Sequence, residues 1–376
     1  MSTALFAGTV QTHVGGYNPA PPAGEALVGA LRACLDEAQL LDRHGFDGIL
    51  VAERHGRSEC VAPDPIGLLS ALAGVTDHAF LGTYVHLGLL HHPVDVAERF
   101  AQLDAVSGGR AVAGLGAGYH PDYFALYGTD PAARLARLKQ LVGLLRTAWS
   151  GGELDTEWEG RRLVGSIHPR PIAGTIPIWL GAQFPQSVAL AGRIADGWAV
   201  AFPFDRATWD RHRESYVAGC TAVGRAPTIA LSRHCWVSDS PEKAAELYVP
   251  YWLAEQRYYF DRGQLQHSDF RSTGDFTVGN AVPNLVLGTP QQCAEQLVHL
   301  VRDWGVDVVK LASRLPLGPA PEAVLDNWRQ IGEEVLPLVR KELTGSSERS
   351  PSPRRVLEPV RDRPGDLDRS YDVENR

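Results

Sequence analysis

Short apolar runs alternate with longer segments of helical periodicity along most of the chain. Segment 26–45 is typical of the longer ones, because leucines recur at roughly helical spacing and Gly45 is placed to end a helix. Eight short runs fit β-strands, at residues 4–10, 46–53, 79–88, 111–118, 176–182, 196–202, 228–238 and 306–313. Eight alternations of strand and helix predict an α/β fold, a parallel (β/α)8 TIM barrel, with a doubly wound sheet as the main alternative.

Two regions interrupt this rhythm. Residues 240–287 follow the seventh strand and are too long for a plain connection, so the aromatic segment 248–263 within them predicts a helical insertion over the barrel mouth. The alternative is that this aromatic face packs on a helix or on a partner subunit. Residues 343–376 are rich in proline, serine and mixed charge, which predicts a disordered tail after a single barrel domain at 1–342.

Composition narrows the functional classes. The formal net charge is -8 and only four of the 36 basic residues are lysines, so no basic stripe is available to bind nucleic acid. The five cysteines are far apart and contain no Cys-x-x-Cys, which argues against a disulfide framework and favours a reducing cytoplasm. No segment has the length and apolarity of a membrane span or a signal peptide, which predicts a soluble protein.

Residues 91–119 combine a helix, a tight turn and a glycine-rich strand. Pro93 suits the first helical turn, and Gly108 suits a left-handed helix end. Because side chains alternate along a strand, Gly114, Gly116 and Gly118 are expected to leave one face bare, with room for a flat ligand. A dinucleotide-binding turn is the alternative, but the third glycine and the helix that it requires do not follow.

Five motifs carry a resemblance to a known family. They are VAERHG at 51–56, the segment 91–119, YFALYG at 123–128, PIWLGAQFPQSVALAGRIADGW at 177–198 and LGTPQQCAEQLVHLVRDWGVDVVKL at 287–311. Over residues 3–340 the chain resembles the bacterial luciferase-like flavin-dependent monooxygenases and their relatives that use the deazaflavin F420. The resemblance implies a TIM barrel that holds a flavin at the carboxyl ends of its strands, usually in a homodimer.

The same resemblance implies a function. Reduced FMN from a separate flavin reductase would react with molecular oxygen, and a flavin C4a-peroxide would oxidise a small organic substrate. The sequence has no nicotinamide motif, which fits a reductase partner. The alternatives are an F420-dependent oxidoreductase that transfers hydride and, from another class, a non-catalytic flavin-binding protein.

The catalytic candidates come from the end of the second strand. Many family members have Glu-His-His there, whereas this chain has Glu53, Arg54 and His55. The resemblance implies catalytic roles for Glu53 and His55, the latter offering an imidazole that titrates near neutral pH. His86 and His92 lie nearby, but no carboxylate or cysteine recurs at ligand spacing, so no metal is expected.

The resemblance also implies ligand-binding residues. Those for the cofactor are Tyr84, Val85, Gly116, Ala117, Gly118, Gln183 and Ser187. The expected substrate residues are chosen by position, because Tyr119, Trp198 and His234 lie at or near the C-termini of predicted strands. Tyr84 and Val85 fall where relatives have a non-proline cis peptide beneath the flavin ring. Ser187 is expected near a helix start that holds the flavin phosphate, while Ala117 replaces a phosphate-binding arginine of some members. Barrel packing is the alternative for Trp198.

Overall fold

The computed structural model describes residues 4–10, 12, 16–17, 20–201, 205–263 and 270–345. Its strands are β1 (Leu5–Thr9), β2 (Gly48–Val51), β3 (Phe80–Thr83), β4 (Ala111–Leu115), β5 (Leu154–Trp158), β6 (Arg161–Gly165), β7 (Ile178–Gly181), β8 (Gly197–Val200), β9 (Ile229–Val237), β10 (Leu285–Gly288) and β11 (Val308–Ala312). Strands β1 to β4, β7 to β9 and β11 form a parallel sheet that closes because β9 pairs with both β8 and β11. The predicted TIM barrel is confirmed, and closure excludes the open doubly wound sheet.

Helices surround this barrel. They are α1 (Glu25–Arg43), α2 (Pro65–Ala73), α3 (Pro93–Val106), α4 (Pro121–Tyr127), α5 (Arg134–Ser150), α6 (Pro185–Ile194), α7 (Arg206–Ala222), α8 (Pro241–Phe260), α9 (Val278–Ala281), α10 (Pro290–Asp303), α11 (Pro321–Gln330) and α12 (Leu336–Thr344), with a π-helical turn at Ile331–Val335. A large apolar cluster fills the layer between strands and helices. No helix in the described ranges is both long and apolar enough to cross a membrane.

A second, smaller cluster fills the inside of the barrel. It takes Leu5, Ala7, Leu50, Phe80, Tyr84, Val112, Trp179, Ala199, Ala230 and Val308 from all eight barrel strands or their ends. Because side chains alternate, Ser232 and His234 continue the inward series of Ala230, and Lys310 continues that of Val308. The interior therefore becomes polar towards the carboxyl ends of the strands, where TIM-barrel sites form.

The helical insertion after the seventh barrel strand is confirmed as α8 and α9. Ser240 caps α8 by accepting a hydrogen bond from the Lys243 backbone N–H. Tyr248, Trp252 and Tyr259 lie four or seven residues apart and are buried, so α8 turns one aromatic face to the barrel. The last turns of α8 lie over the mouth, where Tyr259 contacts Arg54 beyond β2 and Glu255 lies 4.0 Å from His234 of β9.

Sequence patterns missed three strands. β5 and β6 form an antiparallel hairpin whose turn places Glu159 and Gly160 at positive φ, and most of its residues are solvent-accessible, so it carries little apolar signal. β10 lies at the end of the insertion and extends the sheet by pairing with the second half of β9. The predicted disordered tail starts too early, since α12 continues to Thr344; residues 346–376 lie outside the described part of the chain.

Candidate functional site

The residues after β2 point alternately to two sides of the barrel wall. Leu50 belongs to the interior cluster and Val51 to the outer one. Because this alternation continues past the end of the strand, the Arg54 side chain faces the mouth, and those of Glu53 and His55 face the helices. Burial agrees with this assignment, because Glu53 and His55 are buried while Arg54 is only half-buried.

Glu53 lies at the centre of a buried cluster of imidazoles. Its Oε1 atom lies 2.5 Å from His55 Nε2 and 2.9 Å from His91 Nε2. Its Oε2 accepts the Leu87 backbone N–H at 2.9 Å and contacts His86 Nδ1. Burial by itself would raise the pKa of Glu53, but the imidazoles outweigh burial and hold that pKa well below its ordinary value. Both oxygens of Glu53 accept hydrogen bonds within this cluster, and the expected catalytic role of Glu53 stays a prediction.

This cluster also corrects the sequence argument about metals. Glu53, His55 and His91 place ligand atoms within 4.8 Å of one another, although His91 follows β3 and the other two follow β2. A carboxylate and two imidazoles therefore do lie at metal-ligand spacing. Their separation along the sequence gave no indication of this. In the structure these contacts are hydrogen bonds to Glu53, and the expectation of no bound metal stays a prediction.

His55 joins this cluster to a cavity. Because a carboxylate only accepts, Nε2 carries the proton towards Glu53, and the Nδ1 atom can accept from the Tyr127 hydroxyl at 3.1 Å. His55 also lines a cavity of about 320 Å³ between the end of β2, α4 and α8. Arg57, His120 and Tyr258 are among its other lining residues. The geometry supplies an oriented imidazole on a cavity wall, and its catalytic role stays a prediction.

Charged and polar side chains meet at the barrel mouth beneath α8. Arg54 Nη2 approaches the Tyr259 hydroxyl at 3.5 Å. Glu255, one turn earlier on α8, lies 4.0 Å from the Nε2 atom of His234 in the second half of β9. Lys310 lies deeper and is 9% exposed. Within the described residues, Arg54 and Lys310 thus act on Glu255, as does Arg57, which is itself paired with Glu59.

Burial changes the ionisation of these groups. It lowers the pKa of Lys310 to about 8, with a further contribution from the positive charge of Arg54. It lowers the pKa of His234 to about 3, assisted by Lys310 and Arg233, so His234 is neutral near pH 7. Burial also raises the pKa of Glu255, although the nearby cations oppose that rise.

The ends of β3 and β4 pack against each other through glycine. A cis peptide joins Tyr84 and Val85, as predicted. A methyl group at Gly114 would lie 1.9 Å from the Thr83 carbonyl oxygen, and one at Gly116 would lie 2.7 Å from a Val85 methyl. The absence of side chains at Gly114 and Gly116 therefore allows the neighbouring chain segment to pack closely. The expectation that these glycines leave a bare face for a ligand was wrong.

The third glycine is explained differently. Gly118 lies beyond the end of β4 and has a φ of 74°, and a methyl group there would meet the Phe124 ring at 2.7 Å. Ala117 packs on the outer apolar cluster. Gly116, Ala117 and Gly118 thus shape the mouth through packing and turn geometry, and direct contact of any of them with cofactor stays a prediction.

The rim between β4 and β7 has features that fit an anion. Leu115 pairs with Leu180, so Gly118 and Gln183 follow these strands at equal distance. Gln183 Nε2 is a buried donor without a hydrogen-bond partner among the described residues. Arg134 donates to the Gly118 carbonyl at 3.0 Å and brings a positive charge to this rim, a role that no sequence signal indicated.

Ser187 lies on the same rim, but at the third position of α6. Its hydroxyl exchanges hydrogen bonds with the Phe184 backbone, donating to the carbonyl at 2.9 Å and accepting from the N–H at 3.2 Å. This is local capping, close to the helix-start role expected for it. The backbone N–H groups at the start of α6 fit a phosphate, whereas the Ser187 hydroxyl already donates its proton to Phe184.

The three expected substrate residues have different surroundings. Tyr119 is 45% exposed and packs edge-on against Tyr123. His234 faces the mouth, where its Nδ1 lies 2.8 Å from the Tyr248 hydroxyl. Trp198 is fully buried, stacks on Trp209 of α7 and donates to the Ala182 carbonyl. Its assignment to the substrate pocket is therefore corrected to packing between barrel and helices.

Comparison with known proteins places the chain in a family. The model of the luciferase-like monooxygenase family matches residues 5–308. Because this match covers most of the chain and the barrel has the expected closure, the protein belongs to the luciferase-like monooxygenase family. Its members among the relatives below include both flavin-dependent monooxygenases and F420-dependent enzymes.

Individual relatives include both F420-dependent and flavin-dependent enzymes. The chain is 34% identical over 172 residues to the F420-dependent glucose-6-phosphate dehydrogenase of Nakamurella multipartita, covering 43% of this chain and half the length of that relative. It is 27% identical over 223 residues to the oxygenase component of the flavin-dependent trigonelline monooxygenase of Acinetobacter baylyi. That match covers 56% of this chain and 60% of the relative. The structure of monooxygenase RslO1 from Streptomyces bottropensis shares the fold, with a TM-score of 0.74 and 23% sequence identity. The match covers 89% of this chain and 99% of that structure.

Proposed function

We propose that this protein is the oxygenase of a two-component flavin-dependent monooxygenase. A separate reductase would deliver reduced FMN, and the barrel would use it with molecular oxygen to oxidise a small organic substrate. The observation that carries the proposal is the rim where Gln183 Nε2, the start of α6 and Arg134 supply donors that suit one phosphate group. The homodimer implied by the family resemblance stays a prediction.

The residues of the chain have distinct tasks in this proposal. The rim holds the phosphate, and Val85, half-buried beside Gly181, provides apolar support at the mouth. Helix α8 covers the mouth and excludes water. His55 is the oriented imidazole for proton transfer at the cavity wall. When bound, reduced FMN supplies the two electrons with which one oxygen atom enters the product and the other leaves as water.

Use of F420 is the second candidate, favoured by the similarity to an F420-dependent dehydrogenase. In that case the same barrel would transfer hydride and oxygen would take no part. The anionic tail of F420 usually meets several basic residues, whereas one arginine is bonded at the β4–β7 rim in the described structure.

Anaerobic titration separates the two candidates. We expect reduced FMN to bind more tightly than reduced F420, and the FMN complex to give an oxygen-dependent absorbance transient before oxidised FMN appears. Stopped-flow mixing with oxygenated buffer measures that transient. Preference for F420, with no oxygen-dependent change, would show that the protein is a hydride-transfer enzyme.

Replacement of the rim arginine tests the phosphate site. We expect Arg134→Gln to weaken FMN binding about tenfold, because a charge-assisted hydrogen bond is lost. Riboflavin lacks the phosphate, so its affinity should not change; fluorescence quenching measures both ligands. Arg162→Gln, at an exposed arginine paired with Asp155, is the control. Equal weakening of FMN and riboflavin would contradict a phosphate contact.

A further inference from the structure

The cationic side chains at the mouth have unused hydrogen-bonding capacity. A guanidinium has five N–H donors, yet within the described residues Arg54 makes one long contact, with the Tyr259 hydroxyl at 3.5 Å. Lys310 donates to Ser232 Oγ at 3.2 Å and lies 5.2 Å from the centre of the Tyr84 ring. Neither cation forms an ion pair within 4.0 Å in this part of the chain.

Charge at the mouth is also unbalanced. Arg54 and Lys310 influence each other electrostatically, and Glu255 is the carboxylate that acts on both. One half-buried and one buried cation near a single carboxylate leave a net positive charge, which costs free energy unless an anion binds. His234 adds no positive charge near pH 7, since its pKa is lowered to about 3.

Arg54 and Lys310 lie on the opposite side of the barrel mouth from the rim proposed to bind the cofactor phosphate. In the closed barrel β2 and β11 flank β1, while the phosphate rim lies between β4 and β7 on the other side of the ring. Arg54 follows β2 and Lys310 lies on β11, so an anion bound by them lies across the mouth from that rim. It also lies beneath Glu255 and Tyr259 of α8, the helix that covers the mouth.

We propose that Arg54 and Lys310 bind an anionic oxygen group, such as a carboxylate or sulfonate, of the organic substrate. This inference rests on the proposed function and restricts its substrates to organic anions. The arginine provides a planar fork for two oxygens, and the lysine provides a point charge from the barrel interior. The other source of negative charge at this place is the reduced flavin ring, and the experiment separates the two.

The test uses the full chain and matched pairs of probes. Benzoate and 2-naphthoate are titrated against benzamide and 2-naphthamide by calorimetry, with and without FMN. We expect each carboxylate to bind at least tenfold more tightly than its amide. Arg54→Met and Lys310→Met should each lower carboxylate affinity about tenfold without changing amide affinity, and Lys310→Arg should restore most of the loss.

An exposed arginine away from the barrel supplies the control. Arg162 pairs with Asp155 on the β5–β6 hairpin, so Arg162→Met should leave the carboxylate preference unchanged. If Arg162→Met abolishes the preference, or if amides bind as well as carboxylates, the proposal is overturned. If the mouth variants lose affinity for reduced FMN while the carboxylate preference persists, the cations serve the flavin and the proposal also fails.

A pH series adds an independent arm. The groups facing Lys310 are Arg54, Tyr84 and Glu255, with Ser232 and His234 on β9. Because the pKa of Lys310 is lowered to about 8, carboxylate affinity should fall as pH rises above about 8. Lys310→Met should lack this fall. Failure of FMN to bind or of oxygen to react would refute the proposed function separately, since the carboxylate preference is measured without FMN as well.

Discussion

Glu53→Gln is expected to destabilise the protein by roughly 3–5 kcal/mol at pH 7, the range for breaking a buried ionic cluster. The carboxylate is 4% exposed and contacts His55, His86 and His91, with Leu87 N–H as a fourth donor. A neutral amide cannot attract imidazole N–H groups equally, and its NH2 group would face donors. Urea unfolding followed by tryptophan fluorescence measures the change.

The pH dependence of this effect has a definite sign. The pKa of Glu53 in the folded protein lies well below its ordinary value of 4.5, so its stabilisation is present above about pH 4.5 and is lost as pH falls through the folded pKa. Glu53→Gln should therefore differ from the wild type less in strong acid than at pH 7. Glu98→Gln, at an exposed residue of α3, should change stability by less than about 0.5 kcal/mol. Equal loss in both variants would refute the cluster's structural role.

Gly114→Ala is expected to destabilise the protein by about 3 kcal/mol, near the upper end for overpacking. The added methyl group would lie 1.9 Å from the Thr83 carbonyl oxygen, a backbone atom, so the end of β3 must move. That movement displaces Tyr84, whose hydroxyl donates to the Val200 and Ala230 carbonyls across the barrel. Thermal and urea unfolding measure the loss.

Gly143→Ala is the matched control and should have the opposite sign. Gly143 lies inside α5, and a methyl group there would have no atom within 4 Å. Alanine favours the helix over glycine by about 0.5–1 kcal/mol, so a small stabilisation is expected. A wild-type stability for Gly114→Ala would show that the two strand ends can separate at no cost.

The barrel could be predicted because its strands are apolar and regularly spaced. The glycine-rich segment of β4 was also recognisable, but its explanation was not. From sequence, Gly114 and Gly116 indicate an open strand face; in the structure, Thr83 and Val85 fill that face. Which chain segment approaches a glycine depends on a neighbouring strand, and alternation within one strand does not contain that information.

The candidate site likewise has features that could be predicted from sequence and features that depend on tertiary structure. Glu53, Arg54 and His55 were recognisable as the residues after a barrel strand, but their roles depend on which side each faces. Lys310 lies within the motif at 287–311 and Glu255 within the aromatic segment at 248–263, but neither was predicted as a site residue. Tertiary packing brings them within electrostatic reach of Arg54.

The sequence by itself determined the eightfold alternation, the family, the cis peptide at Tyr84–Val85 and the helix over the mouth, because periodicity and motifs are local properties of the chain. The tertiary structure decided that Glu53 is enclosed by imidazoles, that Trp198 packs outside the barrel and that Arg54 and Lys310 share the mouth. These assignments depend on interactions between residues far apart in the chain, such as the electrostatic effect of Arg54 on Lys310, and barrel closure fixes which side chains come together.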